Sequence, residues 1–202
     1  MYNLLINYFK SEQRDSEYIE CIERNVNNKF IEKIHILFQG EIPEKFKDNE
    51  KIVWVKIDKR PTYHDFFSYA NKNISGICIL SNSDIYFDDS ISKIDNYISD
   101  KKVLALSRWD VNHKRDRVFH LHCDSQDVWV FNTPINIGGM EIGFTLGIPG
   151  CDNRIAYEIS RNYDVINPSE KIYCNHLHLI RFRNYTEKDR LRGKTKTVNK
   201  LK

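Results

Sequence analysis

The sequence predicts an α/β domain in which helices flank a mostly parallel central sheet, and two observations support this class. In the first half of the 202-residue chain, short apolar and β-branched runs alternate with segments of helical periodicity. Residues 75–80 (SGICIL) are almost continuously apolar, which is typical of a strand buried on both faces of a parallel sheet. Alternation of strands and helices places the helices on both faces of such a sheet.

The elements of the first half follow in a regular order. Strands are predicted over residues 3–9, 33–39, 51–57 and 75–80. A helix predicted over residues 15–27 places Ile19, Ile22 and Val26 on one face. A second helix follows Pro61, and its apolar face consists of four residues: Tyr63, Phe66, Phe67 and Ala70. Both sets recur at the helical period, so each helix is expected to pack one face on the sheet.

The second half of the chain is less regular. Strands are predicted over residues 103–107, 128–132 and 172–180, a helix over 153–161, and a loop over 140–150, which holds several glycines. Residues 108–125 are rich in charge and histidine and are expected to form an exposed loop. The histidines and the cysteine of this segment fit no common structural zinc spacing; they are His113, His120, His122 and Cys123.

Composition limits the class of protein. The length fits one domain, and a hydrophobic fraction of 41% suffices for a core. The five cysteines are scattered and form no CxxC pair, which favours free thiols in a reducing compartment. No apolar run approaches the roughly 20 residues that span a bilayer. We therefore expect a cytoplasmic protein.

Basic residues are concentrated at the C-terminus. The predicted domain covers residues 1–187, and residues 188–202 form a basic tail. The basic residues of this tail are Lys188, Arg190, Arg192, Lys194, Lys196, Lys200 and Lys202. The tail has no aromatic residues between its charges, and the net charge of the chain is only +3, so nucleic-acid binding is not expected. A weak contact with an anionic membrane surface is the better interpretation.

A polar, acidic segment, residues 81–89 (SNSDIYFDD), follows the buried strand. Open parallel sheets bind ligands at the carboxyl ends of their strands, so this segment is the first candidate for a functional site. Mg²⁺ or Mn²⁺ chelated by a nucleotide diphosphate would compensate the charge of Asp84, and Asn82 lies on the same side of an extended chain. Asp88 and Asp89 are better explained as a helix N-cap. The alternative for the whole segment is a turn without a ligand.

Several segments resemble GT-A glycosyltransferases in the order that the family has them. They are residues 60–63 (RPTY), 69–71 (YAN), 82–88 (NSDIYFD), 125–131 (SQDVWVF), 150–154 (GCDNR) and 175–178 (NHLH), with Arg181, Asn184 and Tyr185 after the last. The similarity extends from Asn3 to about Tyr185. It is greatest to small enzymes of bacterial polysaccharide synthesis and of large algal viruses.

The resemblance implies transfer of a hexosyl or deoxyhexosyl group from a nucleotide-diphosphate donor, with a UDP-sugar expected, to a glycan or glycoprotein. It also implies that Asp84 binds Mn²⁺ or Mg²⁺ together with His176, His178 or both. The two histidines are two residues apart on a predicted strand and so share one face, although a solvated strand face would explain them equally. Asn82 stands where the DxD motif of the family has its first aspartate, and it is expected to reach the ribose or a coordinated water while Asp84 binds the metal.

Four further residues are candidates for binding the donor. Arg60 precedes Pro61 and could reach a phosphate or the base, although it would also suit the surface. Tyr8 ends the first strand and could pack on the base, and Trp129 offers a flat surface for a sugar. Both would equally suit the core. Asn71 lies on the polar side of an otherwise apolar helix.

Asp152 is the preferred catalytic carboxylate, and Asp127 is its rival. In an inverting enzyme a carboxylate within hydrogen-bond reach deprotonates the acceptor hydroxyl, whereas in a retaining enzyme the same group would orient the sugar. The structural alternative for Asp152 is an N-cap of the helix over 153–161. Residues 108–110 (RWD) follow the fifth predicted strand and are further candidates for the cleft.

A second class of function also places aspartate and histidine around a cation, namely a metal-dependent phosphohydrolase or nucleotidyltransferase. The sequence lacks a glycine-rich phosphate loop and a second dense carboxylate motif of the kind that two-metal enzymes use. Sugar transfer is therefore the favoured interpretation.

Overall fold

The computed structural model describes residues 1–119, 125–180 and 186–201 of the chain. In chain order, the strands and helices are β1 (Tyr2–Phe9), α1 (Asp15–Val26), β2 (Ile31–Gln39), β3 (Ile52–Lys56), α2 (Tyr63–Asn73), β4 (Gly76–Ser81), β5 (Ile85–Phe87), β6 (Lys102–Leu106), β7 (Arg108–Val111), β8 (Arg117–Phe119), β9 (Val128–Thr133), α3 (Cys151–Ile159), β10 (Asp164–Ile166) and β11 (Cys174–Leu177).

Seven strands form the central sheet, in the order β10-β6-β9-β4-β1-β2-β3. Neighbouring strands are parallel except around β9, which is antiparallel to both β4 and β6. Apolar clusters cover both faces of this sheet. The predicted class, a mostly parallel sheet flanked by helices, is therefore confirmed.

A second sheet of four strands, in the order β5-β11-β7-β8, lies beyond the carboxyl end of β4. The central strand β11 is antiparallel to β5 and parallel to β7. Its register pairs His176 with Ile85 on one side and with Asp110 on the other. Because Asp84 directly precedes β5, this small sheet brings the acidic segment and the late histidine together.

Helix α2 is fixed at its start by a capping box. The Thr62 side chain accepts a hydrogen bond from the Asp65 backbone, and the Asp65 carboxylate accepts one from the Thr62 backbone. Along the helix, Phe67 packs edge to face against Phe131 of β9, with ring centroids 5.1 Å apart. The cap and this apolar face hold α2 on the sheet, as its predicted spacing requires.

Helix α1 is held on the small sheet by buried asparagines. The Asn25 amide donates to the Ile85 carbonyl at 2.9 Å and accepts from the Phe87 backbone at 3.0 Å. The Asn28 amide donates to the Phe87 carbonyl at 3.1 Å. These bonds satisfy an edge of β5 that would otherwise be buried without partners.

The predicted strands of the central sheet and the three predicted helices are confirmed, with bounds that differ by a few residues. The exposed loop expected over residues 108–125 is wrong for 108–111 and 117–119, which form β7 and β8. Strand pairing with β11 overrides the polar composition there. His120, His122 and Cys123 lie outside the described residues. The predicted strand over 172–180 is shorter in the structure, at Cys174–Leu177.

The basic C-terminal segment is packed on the domain. The Lys196 backbone donates to the Asn153 carbonyl at 2.9 Å, and the Leu201 backbone donates to the Asn167 carbonyl at 2.8 Å. Val198 is buried in the cluster that covers α3. The domain boundary after residue 187 remains a prediction. No helix in the described part of the chain is long and apolar enough to span a membrane.

Candidate active site at the carboxyl ends of the strands

A polar cleft opens where β1, β4 and β11 end. Its walls come from the ends of these strands, from the start of α1 and from the loop before α3. The residues that line the cleft include Phe9, Arg14, Tyr18, Arg60, Asn82, Asp84, Arg108, Asp127, Gly147, Asp152, His176 and His178. The cleft thus contains the acidic segment, the late histidines and both candidate catalytic carboxylates.

Asp84 lies at the centre of the buried end of this cleft. Its Oδ2 atom is 2.9 Å from Nη2 of Arg14 and 3.2 Å from Nε2 of His176. Its Oδ1 atom is buried and has no hydrogen-bond partner among the described residues. Ligand atoms of Asp84, His176 and His178 all lie within 4.8 Å of one another. The sequence prediction therefore grouped these three residues correctly in space.

Opposite charges set the ionisation of this group. Burial disfavours the charged form of Asp84, but the charges of His176 and Arg14 outweigh it and hold the carboxyl pKa well below its usual range. Burial also disfavours protonated His176, yet Asp84 and Asp110 raise the pKa of its ring to about 9. Burial and the nearby cations lower the pKa of His178. His178 is therefore neutral at pH 7, the form that binds metals.

Asp110 orients the His176 ring. Nδ1 of His176 lies 2.7 Å from Oδ1 of Asp110, on the neighbouring strand β7. A carboxylate that accepts from one ring nitrogen leaves the other nitrogen directed at the cation site, as in many metal-binding histidines. A cation bound at Nε2 would replace the proton that this atom now shares with Asp84.

Two residues at the start of α1 complete the cluster, and the sequence interpretation did not single them out. Arg14 Nε donates to Oε2 of Glu17 at 2.6 Å, while Arg14 Nη2 also donates to the Leu177 carbonyl at 3.2 Å. Oε1 of Glu17 accepts from the backbone N–H groups of Leu179 and Ile180 at 2.7 and 2.9 Å. These bonds anchor the chain immediately after His178.

A second ion-paired group, centred on Arg108, also lines the cleft and shares Asp110 with the first. Arg108 Nη1 lies 3.3 and 3.2 Å from the two carboxylate oxygens of Asp127, and Arg108 Nε donates to Asp110 at 3.0 Å. The Asn82 amide donates to Oδ1 of Asp127 at 3.0 Å. Asp127 is thus neutralised and held by two partners, which makes it a poor general base.

Arg60 is the cation of the cleft that no carboxylate neutralises among the described residues. Its Nη2 donates to the Leu146 carbonyl at 2.5 Å, and burial lowers the pKa of its guanidinium. Gly147 adopts φ +78°, and a Cβ atom there would lie 3.2 Å from Nη2 of Arg60 and 3.6 Å from Oδ1 of Asn82. Glycine therefore lets the loop approach both side chains closely.

Asp152 lies at the cleft in the first turn of α3, and its side chain accepts from the Cys151 thiol at 3.3 Å. Helix α3 begins after Gly150, which has φ +82° and makes no side-chain cap. Asp152 is therefore inside the helix rather than at the N-cap position that was its alternative explanation. Its half-buried carboxylate lines the cleft next to the loop that precedes α3.

Three predicted donor-binding residues lie outside the cleft. Tyr8 is buried, donates to Asp15 at 2.8 Å and packs against a tryptophan of β3. Trp129 is fully buried in the core on the α2 side of the sheet. The side-chain amide of Asn71 donates to the Ile135 carbonyl at 2.8 Å and accepts from the Ile135 N–H at 2.7 Å. The structure therefore places these three side chains in the packing of the domain and not among the residues that line the cleft.

Aromatic residues line the cleft at other positions. Phe9 and Tyr18 lie at its rim, with ring centroids 5.9 Å apart, and the Arg14 guanidinium lies 5.2 Å from the Tyr18 ring centre. Tyr8 is buried in the cluster that α1 covers, whereas Phe9, the last residue of β1, packs at the edge of that cluster and lines the cleft. Arg181, Asn184 and Tyr185, which belong to the family resemblance, lie outside the described residues.

The residues present suit a divalent cation. Asp84 offers a buried carboxylate oxygen without a partner, and one neutral and one replaceable imidazole complete a mixed oxygen and nitrogen set. Mn²⁺ accepts such a set more readily than Mg²⁺, which prefers oxygen ligands. A bound cation would supply positive charge at the end of β4.

The architecture matches a known class of fold. No protein-family model and no curated protein matches the sequence. Among solved structures the fold is that of GT-A glycosyltransferases. S. aureus TarS in complex with UDP-GlcNAc matches with a TM-score of 0.60 at 10% identity, over 89% of this chain and 59% of TarS. The likeness at this identity establishes the fold.

Two further structures show the same fold. GalNAc-T7 with UDP, GalNAc and Mn²⁺ matches with a TM-score of 0.60 at 8% identity, over 89% of this chain and 43% of that one. Mannosyltransferase PcManGT from Pyrobaculum calidifontis, in complex with GDP-Man and Mn²⁺, matches with a TM-score of 0.55 at 11% identity. The match covers 91% of this chain and 58% of PcManGT. The chain therefore spans less than two thirds of the length of each.

Replacing Asp84 with asparagine tests the cation site. The variant keeps the shape of the side chain but removes the charge that a cation requires. We therefore expect Mn²⁺ affinity to fall by more than about 100-fold in isothermal titration, a larger loss than the replacement of a residue that only hydrogen-bonds to a metal ligand causes. Asp89→Asn is the matched control, because that carboxylate is 71% exposed. Unchanged Mn²⁺ affinity in a folded Asp84→Asn protein would refute the assignment.

Proposed function

We propose that the protein is a metal-dependent glycosyltransferase that moves a sugar from a nucleotide-diphosphate donor, with UDP the expected carrier, to a glycan or glycoprotein acceptor. One observation carries this proposal: an oxygen of Asp84 that has no partner among the described residues lies with His176 and His178 at the strand ends, and Arg60, which no described carboxylate neutralises, lines the same cleft. A cation site and a guanidinium in one cleft suit a diphosphate.

Charge compensation explains how this cleft would assist transfer. Breaking the bond between the sugar and the diphosphate leaves negative charge on the departing oxygen. A divalent cation held by Asp84 and the histidines would supply Lewis-acid stabilisation of that oxygen. Arg60 would add a fixed cation whose partial desolvation strengthens its attraction for phosphate.

The ligands bound in the structures of similar fold support a nucleotide-sugar donor. TarS is described with UDP-GlcNAc, GalNAc-T7 with UDP and Mn²⁺, and PcManGT with GDP-Man and Mn²⁺. In this chain, Phe9 and Tyr18 offer aromatic edges at the cleft rim beside Arg14, where a base would find stacking partners. Transfer of a hexosyl or deoxyhexosyl group, and likeness to polysaccharide enzymes of bacteria and algal viruses, stay predictions.

Asp152 is the carboxylate we assign to the acceptor. It lines the cleft on the loop side, whereas its rival Asp127 is bound by Arg108 and Asn82. In an inverting reaction Asp152 would take the proton of the attacking hydroxyl, and in a retaining reaction it would orient the sugar. The ion pair of Asp127 instead suits a role in holding Asn82 at the donor side.

Arg60→Met tests phosphate recognition. A charge-assisted hydrogen bond contributes about 1.5–3 kcal/mol, so we expect UDP affinity in the presence of Mn²⁺ to fall roughly 10- to 150-fold in thermal-shift titrations. Lys59→Met removes the same charge from the adjacent exposed position and should leave the affinity within about twofold. Equal affinity for UDP in the Arg60→Met and Lys59→Met proteins would contradict this assignment.

Product analysis of the wild type and Asp152→Asn tests the reaction itself. Sugar transfer releases a nucleoside diphosphate, whereas a phosphohydrolase would release a monophosphate and a nucleotidyltransferase pyrophosphate. We expect diphosphate release, with kcat lowered by about 100-fold or more in Asp152→Asn and donor affinity unchanged. Asp164→Asn, an exposed carboxylate on β10, is the control. Monophosphate or pyrophosphate as the product would reject the proposed function.

A further inference from the structure

Residues 186–201, which we call the basic strap, carry the positive charge of the molecule. The strap has six basic and two acidic residues, which leaves 25 basic and 26 acidic residues in the rest of the chain. Every second residue from Lys188 to Lys196 is basic. The domain without this segment is therefore almost neutral, and the charge is concentrated on one path.

The strap is fixed to the domain through its backbone. The Leu191 N–H donates to the Pro149 carbonyl at 2.9 Å, and Nη1 of Arg154 donates to the Lys194 carbonyl at 3.1 Å. Gly193, with φ +134°, lies against the Arg154 guanidinium, where a Cβ atom would be 3.2 Å from Nη1. Together with the buried Val198, these contacts hold the backbone of the strap on the surface, so its basic side chains project from defined positions.

The strap begins at the acceptor side of the cleft. The Leu191 carbonyl lies against Gly150, where a Cβ atom would be 3.0 Å away, and the loop from Gly147 to Asp152 lines the cleft. From there the strap follows α3 to Asn153 and ends beside β10 at Asn167. A chain that leaves the cleft past Asp152 would therefore meet the strap next.

Four strap cations are exposed and have no carboxylate partner among the described residues: Lys188, Arg192, Lys194 and Lys196. The nearby acids are engaged elsewhere, since Asp189 caps Thr186 and Glu170 pairs with Lys200 at 2.5 Å. Residues two apart are separated by at most about 7 Å, which is within the Debye length of about 8 Å in physiological salt. Neighbouring cations would therefore act together on one polyanion.

We propose that the basic strap binds the phosphate groups of the acceptor, so that the acceptor of this enzyme is a phosphate-bearing chain rather than a neutral glycan. The inference rests on the proposed function, because the strap is an acceptor surface only if the cleft transfers sugar. A row of cations suits a chain that carries charge on successive repeats. The strap has no aromatic residue on which bases could stack, which disfavours a single-stranded nucleic acid.

Four substitutions on the strap test this surface: Lys188→Gln, Arg192→Gln, Lys194→Gln and Lys196→Gln, made together. The matched control removes four exposed lysines elsewhere: Lys47→Gln, Lys56→Gln, Lys72→Gln and Lys101→Gln. Binding of fluorescently labelled inorganic polyphosphate is measured by anisotropy between 50 and 200 mM salt. Phosphatidylglycerol vesicles and single-stranded DNA are measured beside it, and UDP with Mn²⁺ is measured by thermal shift on each protein.

We expect the strap variant to lose polyphosphate affinity by at least about tenfold, and the slope of log K against log salt to become shallower by about 3. The control variant should stay within about twofold of wild type. Strap-dependent binding to polyphosphate but not to vesicles indicates a soluble phosphate polymer, whereas strap-dependent binding to vesicles as well indicates lipid-linked phosphate. Both results support phosphate recognition.

Equal affinity in the strap variant and wild type, or an equal loss in the control, would overturn the proposal. Tighter strap-dependent binding to DNA than to polyphosphate of equal charge would overturn it in favour of nucleic acid. The UDP measurement separates the two proposals. Strap-dependent polyphosphate binding without any UDP-induced shift in the wild type would reject the transferase function while leaving the phosphate-binding surface in place.

Discussion

The buried carboxylate of Asp84 is the constraint on which the site depends. A charge removed from water is costly unless opposite charge and hydrogen bonds replace the solvent. Here Arg14 and His176 both bind Oδ2, and Glu17 in turn holds Arg14. Helix α1, the end of β4 and strand β11 must therefore converge at one point, which explains why a second small sheet forms beyond the central one.

The Asp84 carboxylate also keeps one oxygen, Oδ1, that has no partner among the described residues. With Oδ2 engaged and Oδ1 unpartnered, a cation could be bound without breaking the ion pair to Arg14. Asp110 keeps its hydrogen bond to the other nitrogen of His176, so the ring would stay oriented when the proton on Nε2 is replaced. The cluster is thus stable by itself and arranged for a ligand.

Charged groups line the cleft from the histidines to α3. Arg14 lies beside Asp84 and His176, Arg60 contacts the loop before α3 at Leu146, and Asp152 lies in the first turn of that helix. The basic strap continues from that loop along the surface. One path therefore runs from a donor region through a carboxylate to a row of cations, and this order is the basis for both proposals.

The central sheet was predictable because its strands are apolar runs separated by helical periods. Asp84 and His176 were paired from sequence through the family resemblance alone, because β11 belongs to the small sheet and reaches Asp84 by pairing with β5 and β7. Arg14 and Glu17 could not be predicted, since the helix dipole alone accounts for an acid in the first turn of α1, and nothing in the sequence shows that Arg14 meets Asp84. Strands β5, β7, β8 and β10 are three or four residues long and depend on pairing with distant strands.

The burial of aromatic residues was harder to predict. Tyr8 was a donor candidate because it ends β1, and Trp129 because it offers a flat surface, yet Tyr8 is buried in the cluster that α1 covers and Trp129 in the cluster that α2 covers. An aromatic side chain near a strand end suits the core and a ligand equally, so the sequence does not separate the two. Phe9, the last residue of β1, lines the cleft while Tyr8 does not.

The most direct test of the central claim is the anomalous scattering of Mn²⁺ in crystals grown with Mn²⁺ and UDP. The account predicts one strong peak within bonding distance of Asp84 Oδ1 and of at least one of His176 and His178, with UDP phosphate oxygens on its open side. A Mn²⁺ peak elsewhere, with His176 still hydrogen-bonded to Asp84 and UDP away from Arg60, would contradict it.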